Sequence, residues 1–349
     1  MKSLQDWVYE VEAGSVRVWL VRVALFLLVT GLAAWIGLRE FNGLRSMEAM
    51  DLAQQARQLA TGRGFTTQFI RPLALWQLRA KHGNQAPSLK EFPETLSPPL
   101  YPIVLSGIFR MGQALRMLRF DIPPDQIKFF RVYAPDYVPL ILNLVAIVLS
   151  AFLVFLWGAR QFDFGVGVLA VVFLLGSSAL WDLAIQGGST PLLVVFYAAA
   201  GWLFCGLLQD EEREQGDASL LQGHGKAFCC GWVLAMTPLV QMVQIWPCLL
   251  FLIFSLFCLR SHRWSLWLGA MVPLGAYMVW MARMWQVTGN PLGLNWAFFL
   301  ADSPNYPGNL VWRTFSFDVE KTDVWRRLGG SVLRGFSILT SRGPMLCGA

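Results

Sequence analysis

Long apolar stretches, nearly free of charge, constrain this chain more than anything else in its sequence. Runs of roughly 18 to 23 residues, enough to cross about 30 Å of hydrocarbon, occur near Trp19 to Leu38, Tyr137 to Trp157, Phe164 to Asp182, Thr190 to Leu208 and Ser265 to Trp285. A further run, Ala227 to Leu259, would be roughly 50 Å long as one helix and contains Pro238 and Pro247. It predicts two short helices that turn near the far surface, so an all-α, polytopic membrane protein with about seven transmembrane helices is expected. Composition agrees: of 349 residues, 55% are hydrophobic and 14% charged, with 16 Trp and a mean hydropathy of +0.48, beyond what a soluble core needs. The first apolar stretch is long for a secretory leader and predicts a signal-anchor.

Orientation follows from the basic residues of the short loops. With the N-terminus cytoplasmic, Arg160, Arg213, Lys226, Arg260 and Arg263 all fall inside, while the turns at Leu183 to Ser189 and Pro238 to Trp246 carry no Lys or Arg and fall outside. Residues 1–18 are then a cytoplasmic N-terminus, 19–285 a transmembrane domain with a long helical first external loop at 39–136, and 286–349 an external segment. Within that loop, Ile103 to Leu118 is apolar but broken by Arg110, Gln113 and Arg116, and is expected to lie flat in the interface. The loop Gln209 to Lys226 reads as a solvated cytoplasmic link, and the last segment carries polar helical signals near Asp323 to Leu339.

Several function classes find no support. Of the 6 cysteines, Cys205, Cys229, Cys230, Cys248 and Cys258 fall inside predicted spans and Cys347 near the end, so no disulfide framework is implied. His82, His224 and His262 sit in separate loops on both sides, which disfavours a histidine metal cluster. The net charge of +6 is spread without a basic stripe or nucleic-acid motif and fits contact with anionic membrane lipids. Polar or Gly/Pro-interrupted spans are scarce outside Pro238 to Pro247, with Gln241 and Gln244, which argues against a transporter. Tyr101, Trp181, Trp246, Trp280 and Trp285 fit an aromatic belt, and Asp182 reads as a helix end.

Just after the first span comes a polar helix pattern, Glu48 to Phe65. At 100° per residue Glu48, Asp51, Gln55 and Gln58 share a polar stripe opposite Ala49, Leu52, Ala53, Ala56, Leu59 and Ala60. Ser46 is the expected N-cap and Gly62 the stop, placing the helix at about Met47 to Thr61. Two carboxylates thus stand beside a membrane.

Glu48 is followed by Ala56-Arg57 and Gly62-Arg63-Gly64-Phe65, then by Pro98-Pro-Leu-Tyr-Pro102, and later by Val279-Trp-Met-Ala-Arg283 and Gly289-Asn-Pro291. In order and spacing these stretches resemble the GT-C glycosyltransferase fold, in the bacterial branch related to protein O-mannosyltransferases and lipid A aminoarabinose transferases. The resemblance covers about Trp19 to Gly293. It implies a multi-pass enzyme of the cell inner (plasma) membrane that takes sugar from a polyprenyl-phosphate donor and gives it to an external lipid, glycan or protein acceptor. The family's leading acid is usually Asp, where this chain has Glu48, with Asp51 one turn on. Its second acid, before a Pro at the start of the fourth span, is Thr190 here, which weakens the expectation of a divalent metal. Relatives also continue with more spans and a soluble part, so the resemblance implies a truncated member.

Transfer to a hydroxyl needs a base near the acceptor oxygen and positive charge at the departing phosphate. Glu48, with Asp51 as the alternative, is the expected catalytic base; Arg57, Arg63, Arg71 and Arg283 are the expected phosphate-binding residues, since guanidinium pairs bidentately with phosphate. The competing expectations are a non-catalytic membrane scaffold of the same fold and, less favoured, a transporter.

Overall fold

A computed structural model describes residues 15–83, 88–121, 132–213, 217–299, 306–307 and 310–314. Residues 1–14, the signals near Asp323 to Leu339, and Cys347 lie outside them. In chain order the α-helices are α1 (Ser15–Glu40), α2 (Met47–Ala60), α3 (Pro72–His82), α4 (Leu100–Ala114), α5 (Tyr137–Gln161), α6 (Phe164–Gly176) and α7 (Ser178–Gln186). They continue as α8 (Thr190–Arg213), α9 (Asp217–Ala235), α10 (Thr237–Val240), α11 (Ile245–Cys258), α12 (Arg263–Thr288) and α13 (Leu310–Arg313). Among the described residues there is no strand, only one isolated bridge between Thr66 and Pro93.

Segments Val23–Glu40, Ala134–Gln161, Thr190–Glu211 and Arg263–Thr288 are long and apolar enough to cross a membrane. The pair α6 and α7, bent by 57°, adds another if it counts as one span. Its bend falls at Gly176-Ser177-Ser178, the small, backbone-competing residues at which helices kink. The run Ala227 to Leu259 is broken as its prolines predict: α9 ends at Ala235, Pro238 lies in the first turn of α10, and Pro247 near the start of α11, where a missing N–H costs no helical bond. On α5 the large apolar residues Ile141, Val145, Leu149 and Phe152 form an exposed stripe, while Asn143, Ile147 and Ser150 are buried. An apolar exterior with polar groups inside suits a bilayer, consistent with a membrane protein.

The chain forms two compact units, residues 1–62 with 98–277, and 63–97 with 278–349. In the first, Leu52, Ala56, Tyr101, Leu105, Phe109 and Val138 join α2, α4 and α5. Helix α4 is no span, being roughly 22 Å long; it buries one face on α2, and its Arg110 donates to the Leu59 and Ala60 carbonyls at 2.7 and 3.3 Å, closing the end of α2. Helices α9 and α12 meet at glycines: a Cβ on Gly231 would stand 1.9 Å from the Leu266 carbonyl oxygen, and one on Gly269 2.0 Å from that of Phe228.

The described residues of the Gln209 to Lys226 link make specific contacts. Helix α8 runs on to Arg213, Asp210 pairs with Lys226 at 2.6 Å, and the Glu211 carboxylate accepts the N–H groups of Arg260 and Ser261 at 2.8 and 2.9 Å. Glu211 thus holds the entry to α12. Nor are His224 and His262 separate: their rings meet edge to face with centroids 4.8 Å apart. Helix α9 and the turn before α12, distant in sequence, converge there, a tertiary fact that no local pattern carries.

In the second unit Leu73, Ala74 and Leu78 of α3 pack with Phe92, Leu294, Ala297 and Val311. Lys81 donates to the carbonyls of Trp285 and Gln286, and His82 Nε2 lies 2.9 Å from that of Val287, so basic groups meet the C-terminal end of α12. The Gly289 to Gly293 turn depends on its last residue: Gly293 has φ +58, and a Cβ there would lie 2.2 Å from the Thr95 carbonyl oxygen.

Candidate functional site

Helix α2 starts as its sequence predicts. Ser46 accepts the Ala49 N–H at 3.0 Å, and Gly62, at φ +82, follows the last turn. Glu48 stands in the first turn with its side chain exposed. The polar stripe is otherwise not solvated: Asp51, Gln55 and Gln58 are all buried, Asp51 to 2% exposure. One turn of helix therefore separates an accessible carboxylate from an enclosed one.

The turn after α7 meets Glu48. The Ser189 hydroxyl donates to Glu48 Oε1 at 2.7 Å, and Gln241 Nε2 donates to Ser189 Oγ at 3.1 Å and to Thr190 Oγ1 at 3.3 Å. Beneath it, the Tyr101 hydroxyl shares its proton between Asn143 Oδ1 and the Gly187 carbonyl, each 3.1 Å away. Asn143 in turn donates to the carbonyls of Ala184 at 3.3 Å and Gly188 at 2.9 Å. Burial pushes the Tyr101 hydroxyl far above the usual tyrosine range, the Glu48 charge adds to this, and the Asn143 bond opposes it. Tyr101 is thus a neutral buried donor and not a belt residue. Gly187, at φ +82, allows the turn, and a Cβ placed on Gly188 would meet only the Glu48 carboxyl group, 4.0 Å off.

Arg57 faces Asp136 at 3.5 Å and lies 5.3 Å from the Tyr133 ring centroid. Burial raises the Tyr133 hydroxyl above its ordinary range, against the pull of Arg57. Glu48, Asp51 and Arg57 belong to the first unit; Arg63, Arg71 and Arg283 belong to the second. Arg63 is exposed and Arg71 sits half-buried at the start of α3. The Arg283 guanidinium donates to the carbonyls of Glu94 and Phe65, each at 3.1 Å, and lies 4.6 Å from the Trp280 ring centroid. Glu94, which sequence reasoning passed over, is wholly buried and accepts the N–H groups of Leu96 and Ser97 at 2.7 and 2.9 Å. Of the expected belt, Trp246 and Trp285 are exposed, whereas Trp181 and Trp280 are buried, Trp181 donating to the Leu175 carbonyl at 2.7 Å.

Asn143, Ser189 and Gln241 are the site partners the sequence least advertised. An Asn inside an apolar span is itself a signal, because an amide in hydrocarbon needs partners. Ser189 stands against Glu48, with the Gln241 amide and the Thr190 hydroxyl behind it. Among the described residues no three His, Cys, Asp or Glu could share a metal ion. Compared with protein-family models, curated proteins and solved structures, the chain matches none of them.

Proposed function

We propose that this chain is a membrane glycosyltransferase that moves a sugar from a polyprenyl-phosphate donor to an external hydroxyl-bearing acceptor. The observation that carries the proposal is Glu48, an exposed carboxylate at the start of a helix next to a candidate span, held through one oxygen by Ser189. Its free oxygen takes the acceptor's proton as that oxygen attacks the anomeric carbon. The bond from that carbon to the phosphate oxygen breaks, and polyprenyl phosphate departs with the electron pair. Arg57 supplies positive charge in the same unit, shared with Asp136.

In this reading the chain crosses the membrane seven times with its N-terminus cytoplasmic. Support comes from how the turns associate. The turn at Ser189 meets Glu48 and the turn at Gln241 meets Ser189, both turns being without basic residues. The basic loops meet one another instead, Arg160 and Lys226 at Asp210, and Arg260 at Glu211. Alternate loops thus gather at opposite ends, as they do in an up-and-down membrane bundle.

Glu48→Gln, tested in membranes with a polyprenyl-phosphate sugar, is expected to lose transfer by about 100-fold or more, while Asp51→Asn affects folding first. Full activity of both variants would remove the carboxylates from the mechanism. A non-catalytic scaffold is favoured by a different observation: Arg283 directs donors at backbone carbonyls and Arg57 at Asp136. No transfer by wild type with any donor lipid supports that second reading.

A further inference from the structure

We infer that Ser189 and Gln241 are positioning residues for the Glu48 carboxylate, their role in transfer resting on the reading of Glu48 as the base. A glutamate side chain at an exposed position samples several rotamers, and a base must present one oxygen in one direction. The Ser189 hydroxyl has a single proton to give, and what it does depends on Gln241. With Gln241 Nε2 donating to Ser189 Oγ at 3.1 Å, the serine proton points away from the amide and onto Glu48 Oε1, 2.7 Å distant. The second amide proton goes to Thr190 Oγ1 at 3.3 Å, so both protons on that nitrogen are used. Turned over, the amide would draw the serine proton to its own oxygen and leave the carboxylate facing a lone pair. The three bonds therefore select one arrangement, in which Oε1 is occupied and Oε2 remains for an incoming hydroxyl.

The fold supplies both partners for local reasons. Ser189 is buried, at the close of a turn that Gly187 permits and that Tyr101 and Asn143 hold through backbone carbonyls. Gln241 is an extended residue, φ −142 and ψ 122, between α10 and the short turn before α11. The break at Pro238 interrupts an otherwise continuous apolar run at the place where an amide side chain is needed. Thr190, where enzymes of the resembling family carry an acid, thus serves as the acceptor that fixes the amide.

The test uses the full chain in membranes. Ser189→Ala and Gln241→Ala are expected to lower kcat by about 10-fold to 100-fold with KM for donor and acceptor little changed, Ser189→Thr to restore most of it, and Glu48→Gln to hide the effect of Ser189→Ala. An unchanged kcat in Ser189→Ala, or a threonine variant no better than alanine, overturns the inference. Melting midpoints of all variants identify any that merely misfold. Should wild type transfer no sugar, the proposed reaction fails, and positioning is read without it: carbodiimide-driven amine coupling at Glu48, quantified by mass spectrometry of its peptide, is expected to speed up in Ser189→Ala and Gln241→Ala and to return towards wild type in Ser189→Thr. Equal coupling rates in all four proteins overturn positioning itself.

Discussion

Tyr101→Phe removes one oxygen from a buried position and leaves the ring in place, so its cost isolates the hydroxyl. Tyr101 is 0% exposed, and its proton serves both Asn143 Oδ1 and the Gly187 carbonyl at 3.1 Å. With phenylalanine both acceptors lose their shared donor, and a buried polar group without a partner costs about 1 to 3 kcal/mol. Because one proton is shared, the loss is a single bond's worth, about 1 to 3 kcal/mol in total rather than double. Unfolding of the full chain in detergent micelles, followed by tryptophan emission, is expected to show a lower midpoint for Tyr101→Phe. The cost is expected to shrink in an Asn143→Ala background, since part of the bond is already gone. High pH gives an independent sign. Tyr101 is raised well above its unfolded value of 10.0, so the unfolded chain releases that proton first. Its contribution is fully present below about pH 10 and is lost as pH rises beyond. Wild type should therefore lose more stability than Tyr101→Phe above about pH 10. A loss under about 0.5 kcal/mol, or an undiminished loss in the Asn143→Ala background, refutes the network.

Other variants probe other contacts. Gly231→Ala places a Cβ 1.9 Å from the Leu266 carbonyl oxygen, which forces α9 and α12 apart and is expected to cost about 1 to 3 kcal/mol or more in the same unfolding assay. Arg283→Lys replaces a fork that reaches the Glu94 and Phe65 carbonyls with a point charge; faster proteolysis of the second unit is expected, and an unchanged digestion pattern argues against a pinning role. Gly188→Ala meets nothing nearer than the Glu48 carboxyl group at 4.0 Å, so its melting midpoint should equal wild type; a large drop in stability contradicts that geometry.

Legibility of this chain divides along the range of the forces involved. The bounds of α2 were readable because Ser46 and Gly62 act within a turn of the backbone they terminate. The break near Pro238 was readable because proline removes a donor wherever it sits. The fate of the α2 polar stripe was not. A helical wheel ranks Asp51, Gln55 and Gln58 with Glu48, yet they are buried and it is not, since burial depends on what the rest of the chain lays over each position. The same limit hid the Glu211 contact with Arg260 and Ser261, and the meeting of His224 with His262. Sequence spacing was silent on Ser189 for a further reason: a lone serine in a turn is common, and its meaning comes only from Gln241 behind it and Glu48 ahead. What could have exposed the trio is the cost of polar groups in apolar surroundings. Asn143 within α5 and Gln241 at a proline break each interrupt hydrophobic sequence, Ser189 is buried at the end of a turn, and each needs a partner. Groups that carry such a cost find one another, which is why the Gln241 amide at one interruption meets Ser189 at another, beside the exposed carboxylate of α2.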